Sequence, residues 1–319
     1  MGEREAIRLI DRIVQSDAEV GIGDDCAAID IGDRYLLVTT DMMAAKTHIP
    51  KGMKPYDIGW SLVAVNLSDI AAMGGSPIGL VTAIGITRGH PVDYLESIVD
   101  GMNECAQRFG TSIMGGDTKE HESLTLCGTA VGEVPKNQII LRKGAKPGDL
   151  VVVSGELGLA GAGYYSMKRN LGLTDCEAAL RRPRPRLKEG AALAASGLVT
   201  SGMDISDGLS SSVFELSRNS GMTYEIDYST LPKAEEVGLV FQDLERQKSL
   251  VLNFGDDFEL LFTIERGAES DLEDITARTG TPFTVIGKVT SGEENILIDN
   301  ARREKLENLG YEHFRTRQS

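Results

Sequence analysis

The chain has 319 residues, 41% hydrophobic and 25% charged, the make-up of a globular protein long enough for one large or two medium domains. Its formal net charge of −15 argues against sequence-independent nucleic-acid binding, which draws on Lys and Arg, but leaves a nucleotide substrate open because bridging metals offset acid–phosphate repulsion. No run approaches 18 apolar residues, the N-terminus is charged and amphipathic, and Cys26, Cys105, Cys127 and Cys176 lack CxxC spacing, so a cytoplasmic, reduced protein without a membrane partner is expected.

In chain order, residues 4–15 place Ile7, Ile10 and Val14 on one face of an amphipathic helix. Residues 35–40 read as a short strand ending at Asp41, 57–73 as a strongly apolar helix, 78–87 as a strand and 92–109 as an amphipathic helix. Strands are expected at 111–114 and 123–134, with a further β-run at 138–141. The polar, breaker-rich stretch 142–149 has the composition of a domain joint, so domains of 1–147 and 148–319 are expected. Beyond it come a strand at 150–154, helices at 159–168 and 187–196 around the Arg/Pro-rich loop 181–186, and a strand up to Asp204 leading into a helix from 207 to about 218. The rest alternates: strands at 222–227, 259–264, 283–290 and 295–298, with helices at 268–279 and 302–308. Without a regular βαβ rhythm, the class is α+β.

Seven aspartates stand out in Gly-, Ser- or Thr-rich or apolar settings: Asp24 and Asp25 (GIGDD), Asp41 (TTD), Asp69 (NLSD), Asp117 (GGD), and Asp204 and Asp207 (MDISDG). Unpaired carboxylates in such places are costly, and with no His or Cys beside them they suit hard cations, Mg²⁺ with a polyphosphate first. Asp69 is the most telling, because it shares a face with Asn66 on a helix that is apolar nearly all round and therefore buried. Asp207 can equally be an ordinary N-cap, and the Gly115-Gly116-Asp117 and Gly21–Asp25 stretches can be plain turns. Arg142 and Lys143 are cations available to phosphate oxygens. The loop 181–186 reads as solvated. There is no P-loop, and the glycines of 155–163 are misspaced for a dinucleotide fingerprint.

Taken in order, GIGDDCA (21–27), TTD (39–41), VNLSDIAAMG (65–74), GGDT (115–118), LRKGAKPGD (141–149), RPRPR (182–186), DISDGL (204–209) and GYEHF (310–314) resemble the thiamine-monophosphate kinase family of the aminoimidazole ribonucleotide synthetase-like superfamily. The resemblance implies a two-domain α+β subunit whose N-terminal sheet pairs across a homodimer into a β-barrel-like core, with ATP at the interface. It implies phosphoryl transfer from ATP to thiamine monophosphate. By the same resemblance Asp25, Thr39, Thr40, Asp41, Asp69, Asp117, Asp204 and Asp207 are Mg²⁺ ligands, Gly116, Asp117, Arg142 and Ser206 contact ATP, and His48, Asp256 and Tyr311 contact the acceptor. The family's GGEDYEL stands here as 254–260 FGDDFEL, with Asp256 one methylene shorter than the usual Glu, and Lys46-Thr47 precede His48 where smaller residues are common.

The acceptor so implied is a phosphate monoester, mostly dianionic at neutral pH with a second pKa of about 6, so it is already a nucleophile and no acid–base residue is expected. Two alternatives are a superfamily member acting on a different phosphate or ribotide, and a non-catalytic Mg–nucleotide-binding homologue.

Overall fold

The computed structural model describes residues 2–314. In chain order the elements are α1 (Glu3–Ile13), β1 (Ala27–Asp30), β2 (Arg34–Ala44), α2 (Pro55–Ala72), β3 (Ser76–Ile86), α3 (Val92–Arg108), β4 (Ile113–Glu120), β5 (Thr125–Pro135), β6 (Leu150–Ser154), α4 (Leu159–Arg169), α5 (Thr174–Arg181), α6 (Leu187–Ser196), β7 (Val199–Asp204), α7 (Leu209–Ser220), β8 (Thr223–Asp227), α8 (Glu236–Val240), α9 (Leu244–Asn253), β9 (Leu260–Ile264), α10 (Glu269–Thr279), β10 (Phe283–Thr290), β11 (Ile296–Asp299) and β12 (Arg302–Lys305).

The strands form two sheets, one per half of the chain. The first has the order β1-β2-β5-β3-β4 and the second β12-β11-β8-β10-β6-β9-β7. Both are mixed and mostly antiparallel, which makes the fold α+β. Alternation along β2 turns Leu37, Thr39 and Met43 inward onto α2 and leaves Val38, Thr40 and Met42 on the outer face. In the second sheet Val151 and Val153 join the core on one face while Val152 and Phe262 join the core on the other, so the run Leu150–Val153 is apolar throughout.

Helix α2 is the centrepiece. It packs on the first sheet, on α3 and on α6 of the other half, so nearly every side chain it carries is buried. Its crossing with α3 is tight at two reciprocal glycines. A Cβ on Gly59 would lie 1.8 Å from the Ile98 carbonyl oxygen, and one on Gly101 would lie 1.9 Å from that of Tyr56.

Local chemistry departs from the sequence expectation in several places. Strand β2 runs on through Asp41 to Ala44, because β5 pairs with it along its whole length. Gly115-Gly116-Asp117 lies inside β4, paired in parallel with β3, and not in a turn. Residues 138–141 are irregular, though Ile140 and Leu141 still bond Met73 and Gly202 through their backbones. Residues 302–305 form a strand instead of a helix. Asn300 and Ala301 both take positive φ (48° and 64°), the backbone of a two-residue hairpin, and fold Arg302–Lys305 back on β11. Helices α5 and α9 had no counterpart in the sequence reading.

Candidate active site

Four separate segments bring acids to one point. The loop before β1 carries Asp24 and Asp25, turning at Gly23 with φ +119°. Strand β2 carries Thr39 and Asp41 on its inner face, α2 carries Asp69, and the C-terminal end of β7 carries Asp204. Carboxylate oxygens of Asp25, Asp69 and Asp204 all lie within 4.8 Å of one another. Thr39 donates its hydroxyl to Asp69 Oδ2 at 2.5 Å, and Ser68 donates to Asp204 Oδ2 at 2.5 Å, so neighbouring residues orient two of the three.

The cation paired with these acids among the described residues is Arg142, whose Nη2 and Nε reach Asp25 Oδ1 at 2.5 and 3.2 Å, while its backbone N–H bonds the Asp24 carboxylate. Among the described residues no Lys or Arg forms an ion pair with Asp41, Asp69 or Asp204, which excludes the structural salt bridge as the reason for Asp69. That residue is half-buried, and not fully buried as its helix suggested. Burial raises every acid of the group, and repulsion from neighbouring aspartates adds to it at Asp24, Asp41, Asp69 and Asp204. Asp24 is pushed up to about 7 by burial and by Asp25, and Asp204 to about 8 by burial and by Asp25. Asp69 stands well above the usual carboxylate range, with burial and then Asp41 as the causes; Asp25 and Asp41 are raised as well.

The donor set fits a hard divalent cation. It is all oxygen and strongly anionic, and Asp25 Oδ2 is a buried oxygen with no hydrogen-bond partner. Asp207 is not in this triad. It sits just before α7, whose N-cap is Gly208, so capping does not explain it either. It is pushed up to about 7 by burial, then by Glu3 and Asp256.

Asp207 instead marks a second, adjoining cluster. Its carbonyl accepts the Tyr311 backbone N–H at 2.9 Å, and the Ser206 carbonyl accepts that of Asp256 at 2.8 Å. Asp256 holds φ +68°, a left-handed conformation that Asp tolerates better than longer side chains, a local reason for Asp where Glu is usual. Tyr311 packs edge-on against His313, and His313 meets His48, with Nε2 to Nε2 at 3.2 Å. His48, Asp256 and Tyr311 thus lie on segments joined to the 206–207 turn or to each other.

Thr40, Gly116 and Asp117 do not join the triad within one chain. Registers Asp41↔Gly128↔Thr82↔Gly116 and Met42↔Cys127↔Ala83↔Asp117 put Asp117 on the outer face with Met42, three strands along the row from β2. There it pairs with Lys119 at 3.0 Å. Thr40 also points outward, donating to the Gly128 carbonyl at 2.8 Å. The period-two alternation that turns Asp41 inward necessarily turns Thr40 outward.

Sequence reasoning passed over Ser68 and His313. Ser68 lay in the quoted NLSD, one residue before Asp69, and His313 in the quoted GYEHF. It also read the loop 181–186 as solvated, whereas the loop bonds both halves together. Arg186 pairs with buried Glu259, Arg182 with Asp57 of α2 at 3.1 Å, and the Pro183 carbonyl accepts Trp60 Nε1–H at 3.0 Å.

Comparison with known proteins agrees with this geometry. Residues 23–134 match the AIR synthase related protein N-terminal domain and 146–300 the corresponding C-terminal domain. The chain is 35% identical to the thiamine-monophosphate kinase of Pyrococcus horikoshii, over 99% of this chain and 97% of that one. It is 34% identical to the enzyme of the same name from Escherichia coli K12, over 97% of each. Among solved structures, AaThiL complexed with AMPPCP and TMP superposes with a TM-score of 0.84 at 27% identity, covering 98% of this chain and 97% of that one.

Proposed function

The chain belongs to the thiamine-monophosphate kinase family, and on that premise we propose that it phosphorylates thiamine monophosphate with ATP, yielding thiamine diphosphate and ADP. It is a phosphotransferase with ATP as co-substrate. The observation that carries the reading is the triad of buried Asp25 and Asp204 with half-buried Asp69, drawn from both halves of the chain and holding an unpartnered carboxylate oxygen. Full-length identity to the named kinases makes a ribotide-specific or non-catalytic homologue the weaker reading.

Asp25, Asp69 and Asp204, with Asp41 beside them, are the residues to hold Mg²⁺, and Asp207 is placed to extend the set toward the acceptor. Bound there, magnesium offsets the repulsion between two polyanions and stabilises the departing ADP. Thr39 and Ser68 fix the carboxylates in position before any ligand arrives. Arg142, which holds Asp25, is the cation for ATP phosphate oxygens, together with Ser206. His48, Asp256 and Tyr311 form the acceptor end. The phosphate acceptor is already charged, so transfer is direct and in line, with no base and no phosphoenzyme.

A homodimer completes the proposal. The outer face of the first sheet exposes Ile29, Met42 and Val81, an apolar surface of the kind that a second sheet covers. Thr40, Gly116 and Asp117 serve the nucleotide only through this interface. No described helix is long and apolar enough to cross a membrane, and four free cysteines suit the cytoplasm.

ADP release from Mg–ATP, measured with and without thiamine monophosphate, tests the function. Stimulation with formation of the diphosphate is expected; ATP binding without turnover would overturn it.

A further inference from the structure

His313 is assigned no role by the family likeness, yet it links two residues that have one. Its Nε2 lies 3.2 Å from His48 Nε2 and its Nδ1 lies 3.4 Å from the Tyr311 hydroxyl. Its backbone N–H donates to Glu3 Oε2 at 2.9 Å, which ties the segment to α1.

The proton order along this chain follows from its far end. The Ala44 backbone N–H donates to His48 Nδ1 at 3.2 Å, and an amide has no acceptor state, so Nδ1 carries the lone pair. The Thr47 hydroxyl, 2.7 Å from the same nitrogen, is then a second donor to it. Neutral His48 therefore keeps its proton on Nε2 and donates to His313 Nε2. His313 in turn holds its proton on Nδ1, facing the Tyr311 oxygen. Partial burial and the adjoining His313 lower the pKa of His48, which favours this neutral pair.

We propose that His313 is a positioning residue, which accepts from His48 and carries the proton order set at Ala44 on to the Tyr311 hydroxyl, fixing the ring of His48 and the direction of that hydroxyl at the acceptor end of the site. Its kinetic part rests on the reading of that end as the thiamine monophosphate site. The proton order stands independently of it.

The test is ¹⁵N NMR of the full chain at neutral pH, which has only four histidines to assign, combined with kinetics of His313→Ala and His313→Gln. His48 is expected as the Nε2–H form and His313 as the Nδ1–H form in the native protein, with the His48 tautomer unchanged in His313→Ala. KM for thiamine monophosphate rises about tenfold in that variant, the scale of one hydrogen bond, while KM for ATP and kcat stay within about twofold. His313→Gln, whose amide oxygen accepts and whose nitrogen donates, restores that KM. A native His48 protonated on Nδ1 or a native His313 protonated on Nε2 overturns the proposal, as does a His313→Ala variant with unchanged KM for thiamine monophosphate. Absence of any ADP release stimulated by thiamine monophosphate would overturn the substrate reading alone, and the spectrum would still decide the proton order.

Discussion

Replacing Asp204 by Asn tests whether the triad is held together against its own repulsion. Asn keeps the size and an oxygen to accept the Ser68 hydroxyl, so packing is unchanged. The carboxyl of Asp204 is raised from 3.8 to about 8 in the fold. A raised acid binds more protons folded than unfolded, so its penalty accumulates as pH climbs from about 4 to about 8, at up to ~1.4 kcal/mol per pH unit. From about pH 5 to about pH 7.5 that is roughly 3 kcal/mol, and sharing among coupled aspartates makes roughly 2–4 kcal/mol the useful range. A separate route agrees. Two like charges at the triad's 4.8 Å limit repel by ~3.5 kcal/mol at an effective dielectric of about 20. Urea unfolding in chelator should therefore find Asp204→Asn more stable than the native protein at about pH 7.5, with the gap narrowing by at least ~2 kcal/mol at about pH 5. Added Mg²⁺ should stabilise the native protein far more than the variant, and ADP release should fall more than about 100-fold. A pH-independent gap, or equal stabilisation by Mg²⁺, would refute the reasoning.

Because Asp24 and Asp204 are raised to about 7 and about 8, Mg²⁺ binding near pH 6.5 must expel protons and its affinity should climb toward pH 8. Calorimetry in buffers of different ionisation enthalpy measures this, and zero proton release would count against it. Met42→Glu, a charge on the exposed face of the first sheet, should shift the protein to monomer in sedimentation and lower activity, whereas an unchanged dimer would put the interface elsewhere. Tyr311→Ala should raise KM for thiamine monophosphate more than KM for ATP, and equal effects would reduce Tyr311 to packing. Asp257→Ala removes the acceptor of the Gly158 and Ala160 N–H groups at the start of α4, bonds of 2.7 and 3.0 Å. A loss of roughly 1–3 kcal/mol in urea unfolding is expected, and no loss would show that water replaces the cap.

Much of the fold was legible wherever one segment carried its own signal. Helix α2 announced itself by being apolar all round, and that property pointed to Asp69, which the structure leaves half-buried at the triad and not fully buried. Signals failed where a partner strand decided the outcome. The 302–305 segment (RREK) has no apolar period of its own and is a strand only because a tight hairpin lays it on β11. The glycine pair before Asp117 looked like a turn because glycine serves turns, yet here it pairs within a sheet. The Arg/Pro loop looked solvated because its acceptors, Asp57 and Glu259, lie more than seventy residues away on either side.

The amino-acid sequence alone carried the chemistry: acids without His or Cys companions, an ordered set of family segments, and an acceptor that needs no base. Residue type and local spacing settle such matters, because they govern what a side chain can bind and which face of its own element it occupies. Tertiary structure decided which of the seven aspartates meet. Asp25, Asp69 and Asp204 converge because the first loop, α2 and the end of β7 are packed together, and Asp117 faces away because its register puts it in the row of Met42, on the outer face of the sheet. It also placed His313 against His48, 265 positions earlier in the chain. Distances between elements depend on how their faces pack, and no local spacing encodes them.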